Sequence, residues 1–278
     1  MDSNKKPLVT VAIPAFQGAE YIRFAIDSVL SQSFGDYELL IVDNASSDET
    51  VEIVRSYSDP RIVLVCNEKN IGAEGNWNKC LMVARGRFIK ILPHDDTLER
   101  HCLKDQVEIL LADQMERLSL VFCARNIVSK EGKVLAKRHL RGVGTGEIAA
   151  RRLIRLCVRR GTNLIGEPGA VMFRASAACV SGNVNGTIPY VIDLDYWVRL
   201  LDHGDAYYID SPLSSFRVSA SSWSVEIGAR QSKDYTRFIE LVSIGRVDYI
   251  SNFDKYLGRL SALLNGLLRR VFYRFLCK

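Results

Sequence analysis

Apolar residues over the first 125 positions gather into short continuous runs, separated by stretches of helical periodicity. LVTVAI (8–13) reads as a buried strand ended by Pro14. Between Ala19 and Gln32 the apolar Ile22, Ala25, Ile26, Val29 and Leu30 recur at helical spacing. Tyr37–Val42 is a second strand. Ser47–Tyr57 is a helix with its N-cap among Ser46, Ser47 and Asp48, and Arg61–Cys66 is a third strand. Asn76–Ala84 forms a helix that Gly86 ends; strand Arg87–Leu92, helix Leu98–Asp113 and strand Leu118–Cys123 follow. This alternation predicts an α/β fold with a mostly parallel sheet and right-handed crossovers.

Past residue 125 the pattern loosens. NIVSKEGKVLA predicts a hairpin turning at Glu131-Gly132, and Glu147–Val158 a basic helix. GTNLIGEPG is a loop and GAVMFR a short strand. Tyr190–Leu201 is a helix, AYYID and LSSFRV are strands, and residues 226–276 read as mainly helical. No repeat or low-complexity linker separates the halves, which predicts one continuous unit.

Composition is that of a globular protein of 278 residues, with 37 basic and 32 acidic side chains. The net charge of +5 is unevenly spread. Basic residues crowd Lys137–Arg160 and the closing stretch DKYLGRLSALLNGLLRRVFYRFLCK. The seven cysteines are scattered without a CxxC pair, which fits buried thiols in a reducing compartment better than a disulfide framework. The first residues lack the pattern of a signal peptide, and no stretch is long and apolar enough to span a bilayer. A cytoplasmic enzyme is expected, either free or peripheral at the inner face of the cell membrane.

Chemistry concentrates where predicted strands end. In an open α/β sheet, ligands bind outside the carboxyl ends of the strands. The first strand ends in Pro14, Ala15 and Phe16, a stiffened turn with a small residue and an aromatic that can admit and stack on a nucleobase. The second ends at Asp43, able to accept from a uracil ring N–H or ribose hydroxyls, or else to cap the next helix. The fourth is followed by Asp95 and Asp96, a pair suited to Mg²⁺ or Mn²⁺ on a substrate diphosphate, or again to capping.

In their order and spacing these segments resemble glycosyltransferase family 2, the inverting enzymes of GT-A fold. The resemblance covers roughly residues 8–225. It rests on VAIPAF, YIRFAIDSVLSQSFGDYELLIVDNASSDET, NIGAEGNWNKCLMVARGRFIKILPHDDTL, GEPGAVMFR and DLDYWVRLLDHGDAYYIDSPLSSFRVSASSWS. It implies a Rossmann-like sheet in which residues 1–125 bind a nucleotide-sugar donor and 126–225 form the acceptor side. Residues 226–278 would then be a C-terminal helical extension. It places donor contacts at Pro14, Ala15, Phe16, Asp43, Asn70, Gly72, Asp95, Asp96 and Arg217, and the metal at Asp95 and Asp96. The catalytic base falls on Asp193 in VIDLDYWVRL, with Asp195 as the alternative. Pro93 and Ile192 stand where relatives often carry acidic residues, and Ser219 stands where many carry His.

The expected activity is transfer of a sugar from a UDP-sugar, or a dTDP-sugar, to a saccharide or lipid-linked saccharide in surface polysaccharide biosynthesis. A catalytically silent sugar-nucleotide or glycan-binding relative is the alternative. A dinucleotide oxidoreductase is disfavoured because IPAFQG stands where a GxGxxG would be. Nucleic acid is not an expected partner, since the basic residues lack interleaved aromatics. In the C-terminal stretch Leu263, Leu264, Leu267, Leu268, Val271, Phe272 and Phe275 form an apolar stripe flanked by arginines. Such a helix can lie on an anionic membrane, or pair with a second copy as a homo-oligomer.

Overall fold

Strands β1 (Val9–Ala15), β2 (Tyr37–Asp43), β3 (Ile62–Cys66) and β4 (Phe88–Ile91) pair in parallel in the order β3-β2-β1-β4. The computed structural model describes residues 6–218 and 230–276. Helices α1 (Ile22–Leu30), α2 (Thr50–Arg55) and α3 (Gly72–Val83) make the connections. β1 and β2 are buried along almost their whole length, as expected for strands covered on both faces.

The first strand runs through Pro14, where the sequence predicted an end. Pairing of β1 with β4 stops at Ala12, so Pro14 sits where the strand has a neighbour only in β2, and its missing N–H costs little there. The predicted helix Leu98–Asp113 divides into β5 (Thr97–Leu98) and α4 (Cys102–Ala112). β6 (Leu118–Val128) continues five residues past the predicted end and turns into β7 (Val134–Arg138), giving the expected hairpin.

β8 (Gly146–Ile148) precedes α5 (Ala150–Arg160). β9 (Val171–Arg174), α6 (Ala175–Ser181) and α7 (Ile192–Leu201) follow. The two predicted strands after α7 are one strand, β10 (Asp205–Arg217), whose register shifts on either side of Pro212. The chain closes with α8 (Gln231–Ser243) and α9 (Asn252–Leu276).

The sheet continues β4-β9-β6-β10-β5. β9 is antiparallel to both β4 and β6, and β10 is parallel to β6. The carboxyl ends of β1, β2, β4, β6 and β10 therefore share one edge, and the start of the reversed β9 lies there too. One face packs on α1 and α4 through Val9, Val11, Ile26 and Leu103. The other packs on α5, α7 and α8 through Phe122, Phe173, Trp197 and Phe238.

Candidate active site

At the tips of β1 and β2, Asp43 is 2% exposed and its Oδ2 accepts the Ser46 N–H at 3.0 Å. Its Oδ1 is buried without a hydrogen-bond partner among the described residues. Such an orphaned oxygen is costly to leave dry and is an acceptor ready for a ligand N–H or hydroxyl. Asp43 caps no helix, since α2 begins only at Thr50, whose N–H is met by Asp48.

The two tip loops are stitched together. The Gln17 N–H donates to Ser46 Oγ, and its Oε1 accepts the Ser47 N–H at 2.8 Å. Gln17 and Ala45 both hold positive φ (49° and 61°), a conformation ordinary residues adopt at a cost and one that gathers at ligand sites. Phe16 stands beside them, 42% exposed.

Asn44 is the hub of an asparagine network that builds the next wall. Its Nδ2 donates to Asn70 Oδ1 at 2.8 Å, and its Oδ1 accepts from Ile71 N and Asn67 Nδ2. Asn67 also reaches Asn76, which in turn donates to the Val42 carbonyl. Asn70 Oδ1 also takes the Gly72 N–H, so this side chain shapes the loop. Gly72 opens α3 at φ +76°, which explains a glycine there.

Across the edge, Asp95 is half-buried and Asp96 is buried. Neither caps α4, which starts at Cys102. The Arg217 backbone N–H donates to Asp96 Oδ1 at 2.9 Å, and the Arg217 Nε donates to the Asp95 carbonyl at 2.9 Å. Arg217 Nη1 holds the Ser129 and Lys130 carbonyls while the guanidinium lies over Tyr21, 4.8 Å from the ring centre. Nε and Nη1 thus brace two loops, the one at Asp95 and the turn at Ser129-Lys130.

Burial, and the charge of Asp95 beside it, push the Asp96 carboxyl well above its ordinary range. Among the described residues no group of three His, Cys, Asp or Glu could by itself hold a metal ion. Two crowded carboxylates nevertheless fit a hard cation that takes its remaining ligands from a substrate diphosphate. His94 packs on the first tip loop, where a Cβ on Gly18 would stand 2.8 Å from its ring.

The expected base, Asp193, lies in the first turn of α7. Its Oδ2 accepts from Asn163 Nδ2 at 2.9 Å and its Oδ1 from the Leu194 N–H at 2.7 Å. Burial, then the nearby Glu167 charge, raise its pKa to about 7 against the opposing pull of Leu194, Arg125 and Asn163. Asp195 points elsewhere and pairs with Arg199 one turn along the helix.

Glu167, which sequence reasoning passed over, connects the carboxylates. It forms an ion pair with Arg125 of β6, and its charge acts on both Asp96 and Asp193. The turn after it is held rigidly by buried groups. Lys90 Nζ, fully buried, donates to the Gly169 and Val171 carbonyls, and Gln106 Nε2 donates to Ala170. A lysine amid the apolar run FIKIL was the available signal for this anchor.

Asp95, Asp96, Glu167, Arg217 and Asp193 thus form one electrostatically linked group, with Asp43, Phe16 and the asparagine wall at the adjoining strand tips. Trp197 is buried in the core, its Nε1 donating to the Gly166 carbonyl. Ser219 and Trp223 lie outside the described residues.

The chain has relatives among known proteins. The sequence pattern of glycosyl transferase family 2 matches residues 10–179. An uncharacterized protein of Mycobacterium tuberculosis is 30% identical over 234 residues, 81% of this chain and 71% of its own length. An Escherichia coli UDP-Glc:alpha-D-GlcNAc-diphosphoundecaprenol beta-1,3-glucosyltransferase is 38% identical over 39% of this chain and 43% of its own length.

The fold matches Staphylococcus aureus TarS, solved with UDP-GlcNAc, at TM-score 0.68 and 16% identity over 95% of this chain and 73% of that one. It also matches a Pyrobaculum calidifontis mannosyltransferase, solved with GDP-Man and Mn2+, at TM-score 0.65 and 18% identity over 99% and 77% of the respective chains. On the strength of the family pattern and the extended sequence match, the chain belongs to glycosyl transferase family 2 and is a glycosyltransferase of GT-A fold.

Proposed function

We propose that this enzyme inverts configuration while moving a sugar from a nucleotide-diphosphate donor to a hydroxyl of a saccharide or lipid-linked saccharide. A UDP-sugar is the favoured donor and a dTDP-sugar the alternative. The TarS complex with UDP-GlcNAc and the lipid-linked acceptor in the name of the E. coli glucosyltransferase support this reading. The proposal includes a place in surface polysaccharide biosynthesis at the inner face of the membrane. Among the described residues no helix is long and apolar enough to cross one.

The observation that carries the reading is a pair of acidic sites, Asp43 at the tip of β2 and Asp193 in the first turn of α7. Asp43 offers an unpartnered buried acceptor oxygen, and Asp193 is tuned to about 7. A carboxyl half ionised near neutrality suits proton abstraction. Asp193 takes the proton of the acceptor hydroxyl as that oxygen bonds to the anomeric carbon. The bond from this carbon to the diphosphate oxygen breaks on the opposite face, and the diphosphate leaves with the electron pair. Asp95 and Asp96 would hold Mg²⁺ or Mn²⁺, which supplies charge neutralisation on that departing group. Asp43 and the asparagine wall would seat the nucleoside, with Phe16 against its base.

The test is nucleotide release from a panel of UDP-, dTDP- and GDP-sugars, with Mn²⁺ or a chelator, on wild type, Asp43→Asn, Asp95→Ala and Asp193→Asn. Donor turnover lost in the Asp95 and Asp193 variants, with donor affinity kept in Asp193→Asn, is the expected pattern. Weakening of nucleotide affinity by Asp43→Asn, about tenfold or more for a hydrogen bond to a charged group, is also expected. Near-normal turnover in Asp193→Asn overturns the assignment of the base. Donor binding without any turnover in wild type indicates the silent relative.

A further inference from the structure

Helix α9 is inside out. Its inward face carries Gly258, Ala262 and Gly266, pressed so closely on α5 and α8 that a Cβ at Gly258 would collide with the Val158 carbonyl oxygen. A Cβ at Gly161 would likewise strike the backbone of Ala262. The large apolar side chains point away from the protein: Phe253, Tyr256, Leu260, Leu264, Leu267 and Leu268 are 43–68% exposed. The helix cannot roll to bury them, because at Gly258, Ala262 and Gly266 the neighbouring chain leaves no room for a large side chain.

We propose that this outer face of α9 docks on the surface of an anionic phospholipid bilayer. Two observations select lipid over a second copy of the chain. The first is charge. Residues 230–276 hold nine basic and four acidic side chains, and α5, packed against the same helix, adds five arginines and no acid, in a chain of net charge +5. The helical layer is therefore the cationic pole of a molecule whose remainder is net acidic. A second copy would bring like charge to like charge, whereas an anionic surface attracts it.

The second observation is width. Leu264 and Leu268 widen the row set by Phe253, Tyr256, Leu260 and Leu267 into a broad face, more than the narrow seam two helices share. A helix of 25 residues, about 37 Å long, with this pattern lies in the plane of an interface.

The fold also accounts for part of the basic cluster between Lys137 and Arg160. Arg155 and Arg159 both pair with Asp254, whose side chain is 1% exposed, and Arg151 pairs with Asp248. Arg155 and Arg159 fasten α9 to α5, and Arg151 fastens the segment that precedes α9. Arg152 and Arg160 remain exposed on the same layer. The docking does not rest on the proposed lipid-linked acceptor.

Flotation of the full chain with phosphatidylcholine vesicles, with and without roughly 30 mol% phosphatidylglycerol, tests the proposal. Recovery only with the anionic vesicles, lowered by high salt, is expected. The triple variant Leu264→Glu/Leu267→Glu/Leu268→Glu should stay in the aqueous phase with unaltered melting temperature and unaltered donor turnover. A wild-type chain that never floats with anionic vesicles overturns the proposal. So does sedimentation velocity showing a lipid-free dimer that the triple variant dissociates. Because donor turnover is read separately, failure to float leaves the catalytic reading intact, and loss of turnover leaves the docking reading intact.

Discussion

Asp193→Asn separates the charge of this side chain from its shape. In the native protein the carboxyl titrates near 7 rather than at the ordinary 3.8, first because it is buried and then because Glu167 lies close. A folded pKa above the unfolded one means the native state holds its proton longer. The stabilisation from that proton is full below about pH 4 and is lost as pH rises through 7. The amide does not titrate, so differences between the two proteins across pH report this one group.

From about pH 5.5 to 7 the native carboxyl is protonated while the unfolded one is not. At about 1.4 kcal/mol per unit, the wild type should lose about 2 kcal/mol relative to the variant over that span. Solvent reaching a half-buried group trims this toward 1 kcal/mol. Urea unfolding of both proteins at about pH 5.5 and pH 8.5 measures it, with the variant gaining on the wild type at the higher pH. Donor turnover supplies the second reading. The wild-type rate should rise with pH along a limb centred near 7, and the variant should fall by about 10²- to 10⁴-fold. A stability difference that is flat with pH, or a wild-type rate that is level from pH 5.5 to 8.5, refutes the reasoning.

Glu167→Gln removes a negative charge that raises the Asp193 pKa, so the acid limb of the rate profile should move to lower pH by about half a unit to one unit. A limb that stays in place shows the two carboxyls do not communicate. Asp254→Ala leaves Arg155 and Arg159 without their shared partner and should cost about 1–3 kcal/mol in urea unfolding, discounted for the exposed arginine ends. Burial opposes the Asp254 charge, but hydrogen bonds from Ser251 and Arg155 hold its carboxyl below the ordinary range. That cost should therefore shrink as pH falls through the folded pKa. Gly258→Ala forces a methyl against the Val158 carbonyl and should lower stability by about 1–3 kcal/mol; an unchanged melting temperature would show that α9 can shift outward.

The strand tips were legible in the sequence because a buried parallel strand is a continuous apolar run. A carboxylate ending such a run is conspicuous, as at Asp43 and just before β5 at Asp95-Asp96. Boundaries were less legible where neighbours decide. Pro14 belongs to β1 because β4 has already ended beside it, and β10 stays one strand because it bends around Pro212 within the ladder. Asn44, Asn67 and Asn76 carry no local signal, since their purpose is to bond one another across segments 9 to 23 residues apart.

Local pattern alone carried the alternation of strand and helix, the acidic strand ends and the leucine-rich stripe, because periodicity and burial are written into neighbouring residues. Tertiary structure alone decided which carboxyls meet. The reversed course of β9 brings Glu167 to the edge where the parallel strands finish, and burial there, more than any motif, moves the Asp193 pKa to about 7. The same holds for α9, whose small residues turn inward only because α5 and α8 leave no room for anything larger. A chain records its own hydrophobic rhythm, but desolvation and charge proximity exist only after distant segments are packed together.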